Sequence, residues 1–321
     1  MRALITGING FAGSHLADFL LTQRDLQVFG GVYGDCDNIV HLEGRATFIA
    51  GDLRDPHFAD SLIEQVRPDR IFHLAGQAFP PASWQDPWAT LEVNLRAQVN
   101  LFESIARSDS RPRVLVIGSM EEYGRVDENS LPLTEETPFH PDSPYGVSKV
   151  AQDLLGLQYF LSRHLPVVRV RPSNHIGPRQ SDQFVTSNFA RQIAEIEAGQ
   201  RQPVIRVGNL SAARDFTDVR DMMRAYWLAL DRGIPGEVYN IGSGHARPIR
   251  EVLERMLVES SVPIRIEQDP ARLRPSDTPV LYCSAAKLQA QTGWQPTIPL
   301  ETSLRDILDY WRAKIQPRKE E

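Results

Sequence analysis

The sequence predicts an α/β fold, a doubly wound parallel sheet with a smaller C-terminal lobe, on three observations. Short, continuously apolar runs alternate with amphipathic helical stretches through about Arg171. A glycine-rich turn, Thr6-Gly7-Ile8-Asn9-Gly10-Phe11-Ala12-Gly13, joins the first run to the first helix. Beyond Arg171 the pattern turns irregular, with proline- and arginine-rich stretches at 171–179 and 269–279. Continuous apolar strands between helices mark a parallel sheet covered on both faces.

In order, strands are expected at residues 3–6, 27–32, 47–50, 70–74, 114–117 and 167–170. The intervening helices are expected at 16–23, 58–66, 91–106 and 147–161, and later ones near 188–197, 219–231, 249–259 and 302–314. This arrangement implies a dinucleotide-binding domain over 1–171, with return segments near 212–241, and a substrate lobe over 172–211 and 242–321.

Composition narrows the functional classes. The 321 residues are 41% hydrophobic and 24% charged, ordinary globular usage. No apolar run approaches the ~20 residues of a membrane span. A net charge of −6 with no long basic block argues against nucleic acid as a partner. Met1-Arg2-Ala3 leads straight into the first strand, leaving no room for a signal peptide. Only Cys36 and Cys283 are present, which suits a reducing cytoplasm. No metal site is expected.

The glycine turn offers Gly7, Gly10, Phe11, Ala12 and Gly13 as cofactor residues, because it lets backbone N–H groups approach a pyrophosphate at a helix N-terminus. Taken alone, it could be only a tight turn. Asp52, with Leu53, follows the third strand and either accepts from an adenine amine or caps the helix beginning near Pro56. Leu74, Ala75 and Gly76 end the fourth strand, where small residues admit a cofactor against the backbone. After the second strand, Tyr33-Gly34-Asp35 lacks a basic residue for a 2′-phosphate, and Asp35 stands where an acid would grip ribose hydroxyls. The cofactor is therefore NAD(P)H with a lean toward NAD, although Arg45 could reach back.

Chemistry concentrates in Tyr145-Gly146-Val147-Ser148-Lys149. Lys149 is the only lysine before Lys287, and it shares one helix face with Tyr145 at i, i+4. A tyrosine ordinarily titrates near ~10, and a nearby ammonium lowers that value. The same ammonium suits ribose hydroxyls. A surface lysine beside a core tyrosine is the plainer alternative. Ser119 ends the fifth strand and can steady a substrate oxygen beside Tyr145. Glu121 is a candidate acid or base, whereas Glu122 is expected to face solvent.

Together, TGINGFAG, GDL, HLAG, Ser119 and YGVSK resemble the extended short-chain dehydrogenase/reductases, a Rossmann-fold family, over nearly the whole chain. Later segments, SMEEYG, NHIGP and GNLSAARDFTDVRD, are most similar to GDP-4-keto-6-deoxy-mannose reductases, with GDP-mannose 4,6-dehydratases close behind. That resemblance implies that Asn174, Asn209, Arg214 and Arg274 hold the nucleotide diphosphate sugar. It departs at Arg179, where these families usually carry glycine, at Tyr33-Gly34, and in the glycine loop.

What the resemblance implies is reduction of the 4-keto group of a GDP-linked 6-deoxy-4-keto sugar to GDP-D-rhamnose, with Tyr145 giving the proton, Ser119 orienting the carbonyl and Lys149 tuning Tyr145. Glu121, two residues after Ser119, keeps a GDP-mannose 4,6-dehydratase open. A nucleotide-sugar 4-epimerase and a non-catalytic dinucleotide sensor are weaker readings. The resemblance also implies a homodimer through the helices at 91–106 and 147–161, although the same apolar stripes could pack on the sheet.

Overall fold

A computed structural model describes residues 1–272 and 278–315. The first half alternates as expected: β1 (Arg2–Thr6), α1 (Phe11–Leu20), β2 (Gln27–Val32), β3 (Thr47–Ala50), α2 (Pro56–Val66), β4 (Arg70–His73), α3 (Pro80–Gln85), α4 (Pro87–Arg107), β5 (Arg113–Ile117), α5 (Pro144–Arg163) and β6 (Val167–Pro172). The remainder contains β7 (Asn174–Ile176), α6 (Val185–Glu197), β8 (Val204–Val207), β9 (Ala213–Asp218), α7 (Val219–Arg232), β10 (Val238–Ile241), β11 (Ala246–Pro248), α8 (Ile249–Val258), β12 (Arg265–Gln268), β13 (Val280–Leu281), α9 (Ala286–Thr292) and α10 (Leu300–Ile315).

Seven strands form one sheet in the order β10-β6-β5-β4-β1-β2-β3, every neighbouring pair parallel. Apolar side chains leave both of its faces. Leu16, Ala17 and Leu20 of α1 pack with Met222, Met223 and Tyr226 of α7 on one side. Leu62 of α2, Leu101 and Phe102 of α4 and Tyr159 of α5 cover the other. A sheet buried on both faces accounts for the unbroken apolar strands. The smaller lobe has its own core, where Phe189, Ile193, Leu253, Ile307 and Trp311 meet beside β9, which pairs with β7, β11 and β13.

Helix starts differ from expectation because caps, not apolar stripes, set them. α2 begins at Pro56 behind Asp55, whose carboxylate accepts from the His57 N–H. α5 begins at Pro144, three residues earlier than its apolar stripe suggests, because Ser143 accepts from the Gly146 N–H and proline suits the first helical position. Among the described residues no helix is long and apolar enough to cross a membrane.

Candidate active site

Parallel strands put their C-terminal ends on one edge of the sheet, where α/β ligands bind. The Gly7 turn follows β1, Asp52 follows β3, Leu74–Gly76 follow β4, Ser119 follows β5 and Asn174 follows β6, so that edge collects the residues the sequence singled out.

The glycine turn is built around backbone contact. Gly7 sits at φ +71°, its N–H donating to the Gly31 carbonyl while its own carbonyl accepts from Gly10, both at 3.0 Å. A Cβ on Gly13 would stand 2.2 Å from the Gly7 carbonyl oxygen and 2.7 Å from the Ile8 Cα. No side chain caps α1 at Gly10, so the amides of its first turn, from Phe11 onward, are left for a ligand. The Phe11 ring stacks on His175 at 5.8 Å. The turn thus fits a dinucleotide pyrophosphate.

Asp52 does not cap α2; that role belongs to Asp55. Its carboxylate instead grips Arg54 through Nε and Nη2, the latter at 2.6 Å, and this pair holds Asp52 below the usual carboxylate range despite burial acting the other way. Arg54 lies over the Tyr33 ring at 5.7 Å and donates to its hydroxyl at 3.3 Å. A guanidinium, that of Arg54, therefore stands beside the β2 turn. Leu53 is buried, and its carbonyl is fixed by Asn100 Nδ2 at 2.8 Å. The Leu74 and Ala75 N–H groups reach the carbonyl and hydroxyl of Thr6 at 3.2 and 3.3 Å. Gly76 leaves room for Asn94, whose Oδ1 a Cβ would approach to 2.8 Å.

Tyr145, Ser119 and Lys149 converge. Tyr145 and Lys149 are buried on α5, the ammonium 5.8 Å from the phenol ring centroid. Ser119 caps the turn after β5, its Oγ accepting from the Glu121 N–H at 3.1 Å. The expectation that Lys149 lowers the phenol reverses in this structure. Burial, aided by the charges of Glu121 and Glu122, pushes Tyr145 up, and the Ser119 side chain opposes it only partly. Burial also lowers Lys149 to about 8, against the pull of Glu122. Glu122 is not at the surface. It is fully buried, its Oε1 accepting the Ser119 N–H at 2.7 Å and its Oε2 lying 3.1 Å from Arg171 Nε, which also meets Asp153 at 2.9 Å. Burial and the Asp153 charge raise the Glu122 carboxyl well above its ordinary value. Asn94, which the sequence reading missed, donates to Ser148 Oγ at 2.8 Å and ties α4 to the tyrosine's helix.

Of the residues the resemblance assigns to the sugar, Asn174 is exposed on β7 and registers with Phe216 of β9. Arg214 lies on the same β9, its Nη1 donating to the Thr278 carbonyl at 2.7 Å. Asn209 precedes β9 and accepts from the Ser211 N–H at 2.9 Å. Arg274 lies outside the described residues. Arg179 takes φ +71° and donates to Asp18 of α1 at 2.7 Å, while His15 Nε2 of α1 donates to the Pro178 carbonyl at 2.8 Å. Among the described residues no acidic, histidine or cysteine cluster could hold a metal.

Residues 4–307 match the family model of GDP-mannose 4,6 dehydratase. The chain belongs to that family. Within it, the chain is 36% identical to GDP-6-deoxy-D-mannose reductase of Pseudomonas aeruginosa, over 98% of each chain. It is 27% identical to human GDP-mannose 4,6 dehydratase, over 95% of this chain and 90% of the other. The solved structure of RMD from Pseudomonas aeruginosa complexed with NADPH superposes with a TM-score of 0.87 at 35% identity, covering 98% and 99% of the two chains. UDP-glucose 4-epimerase of Thermus thermophilus, complexed with NAD, gives 0.86 at 29%, covering 97% and 99%. This family member is an extended short-chain dehydrogenase/reductase, as its sequence motifs imply.

Proposed function

We propose that the chain reduces the 4-keto group of GDP-4-keto-6-deoxy-D-mannose, giving GDP-D-rhamnose. The observation that carries this reading is the buried Tyr145 with the Lys149 ammonium 5.8 Å from its ring, on the sheet edge where Ser119 ends β5. A phenol held in its acid form suits proton donation to a ketone oxygen as that oxygen becomes a hydroxyl. The likeness to the Pseudomonas reductase over 98% of both chains supports the same reading.

The residues divide the work. The Gly7–Gly13 turn and the first amides of α1 hold the cofactor pyrophosphate, Asp52 and Leu53 line its adenine end, and Leu74, Ala75 and Gly76 lie along it. The bound reduced nicotinamide supplies the hydride. Tyr145 gives its proton to the ketone oxygen, Ser119 orients that oxygen, and Lys149 holds the ribose and stabilises the phenolate left behind. Asn174, Asn209, Arg214 and Arg274 take the nucleotide diphosphate sugar. Both NADPH and NADH belong to the reading; Arg54 is the cation available to a 2′-phosphate.

A dehydratase is the second reading, because Glu121 stands close enough to Tyr145 to raise it and could serve as a base. We also propose a homodimer. Val147, Leu154 and Leu161 recur at seven-residue spacing on α5 and are 46%, 47% and 64% exposed, an apolar stripe that a second copy would cover. The two unpaired cysteines fit a cytoplasmic setting.

The test follows loss of reduced-nicotinamide absorbance on adding GDP-4-keto-6-deoxy-D-mannose, with NADH and NADPH separately. Stoichiometric oxidation is expected, and Tyr145→Phe should slow turnover by about 100-fold or more with little change in substrate KM. No oxidation, with turnover of GDP-mannose under trace oxidised cofactor, would transfer the role to the dehydratase.

A further inference from the structure

Lys149 is oriented before any ligand arrives. An ammonium has three N–H donors and no acceptor. One donates to the Ile117 carbonyl at the end of β5 and one to Gln152 Oε1, both at 2.9 Å. Because an ammonium only donates, the Gln152 amide must present its oxygen. Gln152 lies one helical turn beyond Lys149 on α5, is 1% exposed, and is anchored by Gln98 of α4, whose Nε2 donates to the Gln152 carbonyl at 2.8 Å.

We propose that Gln152 is a positioning residue of the reaction: its amide oxygen and the Ile117 carbonyl pin the Lys149 ammonium so that one N–H is kept for the ligand. This rests on the reading of Lys149 given above. Three ionisable groups face the lysine. Glu122, from the turn after β5, favours its charge. His73 of β4 is held neutral, at about 3, by burial and by Lys149 itself. Tyr145 precedes it by one turn on α5. Against the cost of burial, Gln152 and Ile117 are the two hydrogen-bond acceptors that keep the ammonium charged and directed.

This role has an electrostatic sign that a packing role lacks. Gln152→Leu removes an acceptor from the charged form, so the lysine loses its proton more readily. Gln152→Glu keeps the shape and adds a negative charge, so it holds the proton more firmly. The measurement is kcat/KM against pH, with cofactor affinity read from nicotinamide fluorescence. Gln152→Leu should move the alkaline limb about one unit toward lower pH, a tenfold loss above the limb, and weaken cofactor binding. Gln152→Glu should move the limb the other way. Losses in both variants at every pH with an unmoved limb, or shifts of the same sign, would overturn the proposal. If Gln152→Leu does not fold, Gln152→Glu alone decides by the direction of its limb. Lys149→Ala, measured beside them, separates the failures: full rate there sinks the lysine's assigned role, whereas a dead Lys149→Ala with unmoved limbs in the Gln152 variants sinks only this inference.

Discussion

Replacing Gly13 by alanine sets a methyl group 2.2 Å from the Gly7 carbonyl oxygen and 2.7 Å from the Ile8 Cα. Both obstacles are backbone, so no side chain can swing away. The contact must open by about 1 Å to reach ordinary packing distance, and what moves is the start of α1 relative to β1. Overpacking of this kind costs about 1–3 kcal/mol of stability. The larger effect is expected on the cofactor, because on the proposed reading the displaced turn carries the amides that hold the pyrophosphate. Losing one hydrogen bond to a charged phosphate costs about 1.5–3 kcal/mol, about tenfold to a hundredfold in Kd. Thermal unfolding without ligand and NADPH fluorescence titration measure the two parts. Gly199→Ala is the control: Gly199 also takes φ +71° but has nothing within 4 Å of a Cβ. It should cost about 1–2 kcal/mol and leave cofactor affinity unchanged. A Gly13→Ala protein with native Kd and native melting temperature would refute the close-approach argument.

Two further outcomes follow from other sites. Arg54→Ala should raise KM for NADPH by about tenfold and leave KM for NADH nearly unchanged, because only NADPH carries the 2′-phosphate; equal effects in steady-state assays with each cofactor would remove Arg54 from that role. Leu154→Glu puts a charge in the middle of the exposed stripe on α5 and should convert a dimer to a monomer by light scattering after gel filtration; a wild-type protein that is itself a monomer refutes the interface.

Much of this was legible in sequence because strand–helix alternation and the glycine turn are local. Six strands of the main sheet lie where apolar runs place them. The seventh, β10, reaches the sheet from beyond position 211, outside the strand–helix alternation of the first half that marks the other six. The short β7 and β11 pair with β9 alone, and three residues carry too little pattern to read. Among site residues, Ser119, Tyr145 and Lys149 were visible as motifs. Glu122 was misread because an adjacent pair of glutamates looks like surface, whereas its environment is set by Arg171 and Asp153, distant in the chain. Arg54 and Tyr33 meet only because β2 and β3 are neighbours in the sheet. Gln152 belongs to no motif, and only the folded helix brings its amide to the lysine.

Arg179 occupies a backbone conformation that costs a side chain about 1–2 kcal/mol relative to glycine, and its guanidinium offsets that cost by reaching Asp18. With the His15 contact to Pro178, it fastens the chain leaving β7 to α1, the helix that follows the glycine turn. A glycine at this point would let this loop drift independently. An arginine makes it a brace, so the start of α1 and the chain after β7 move as a single piece.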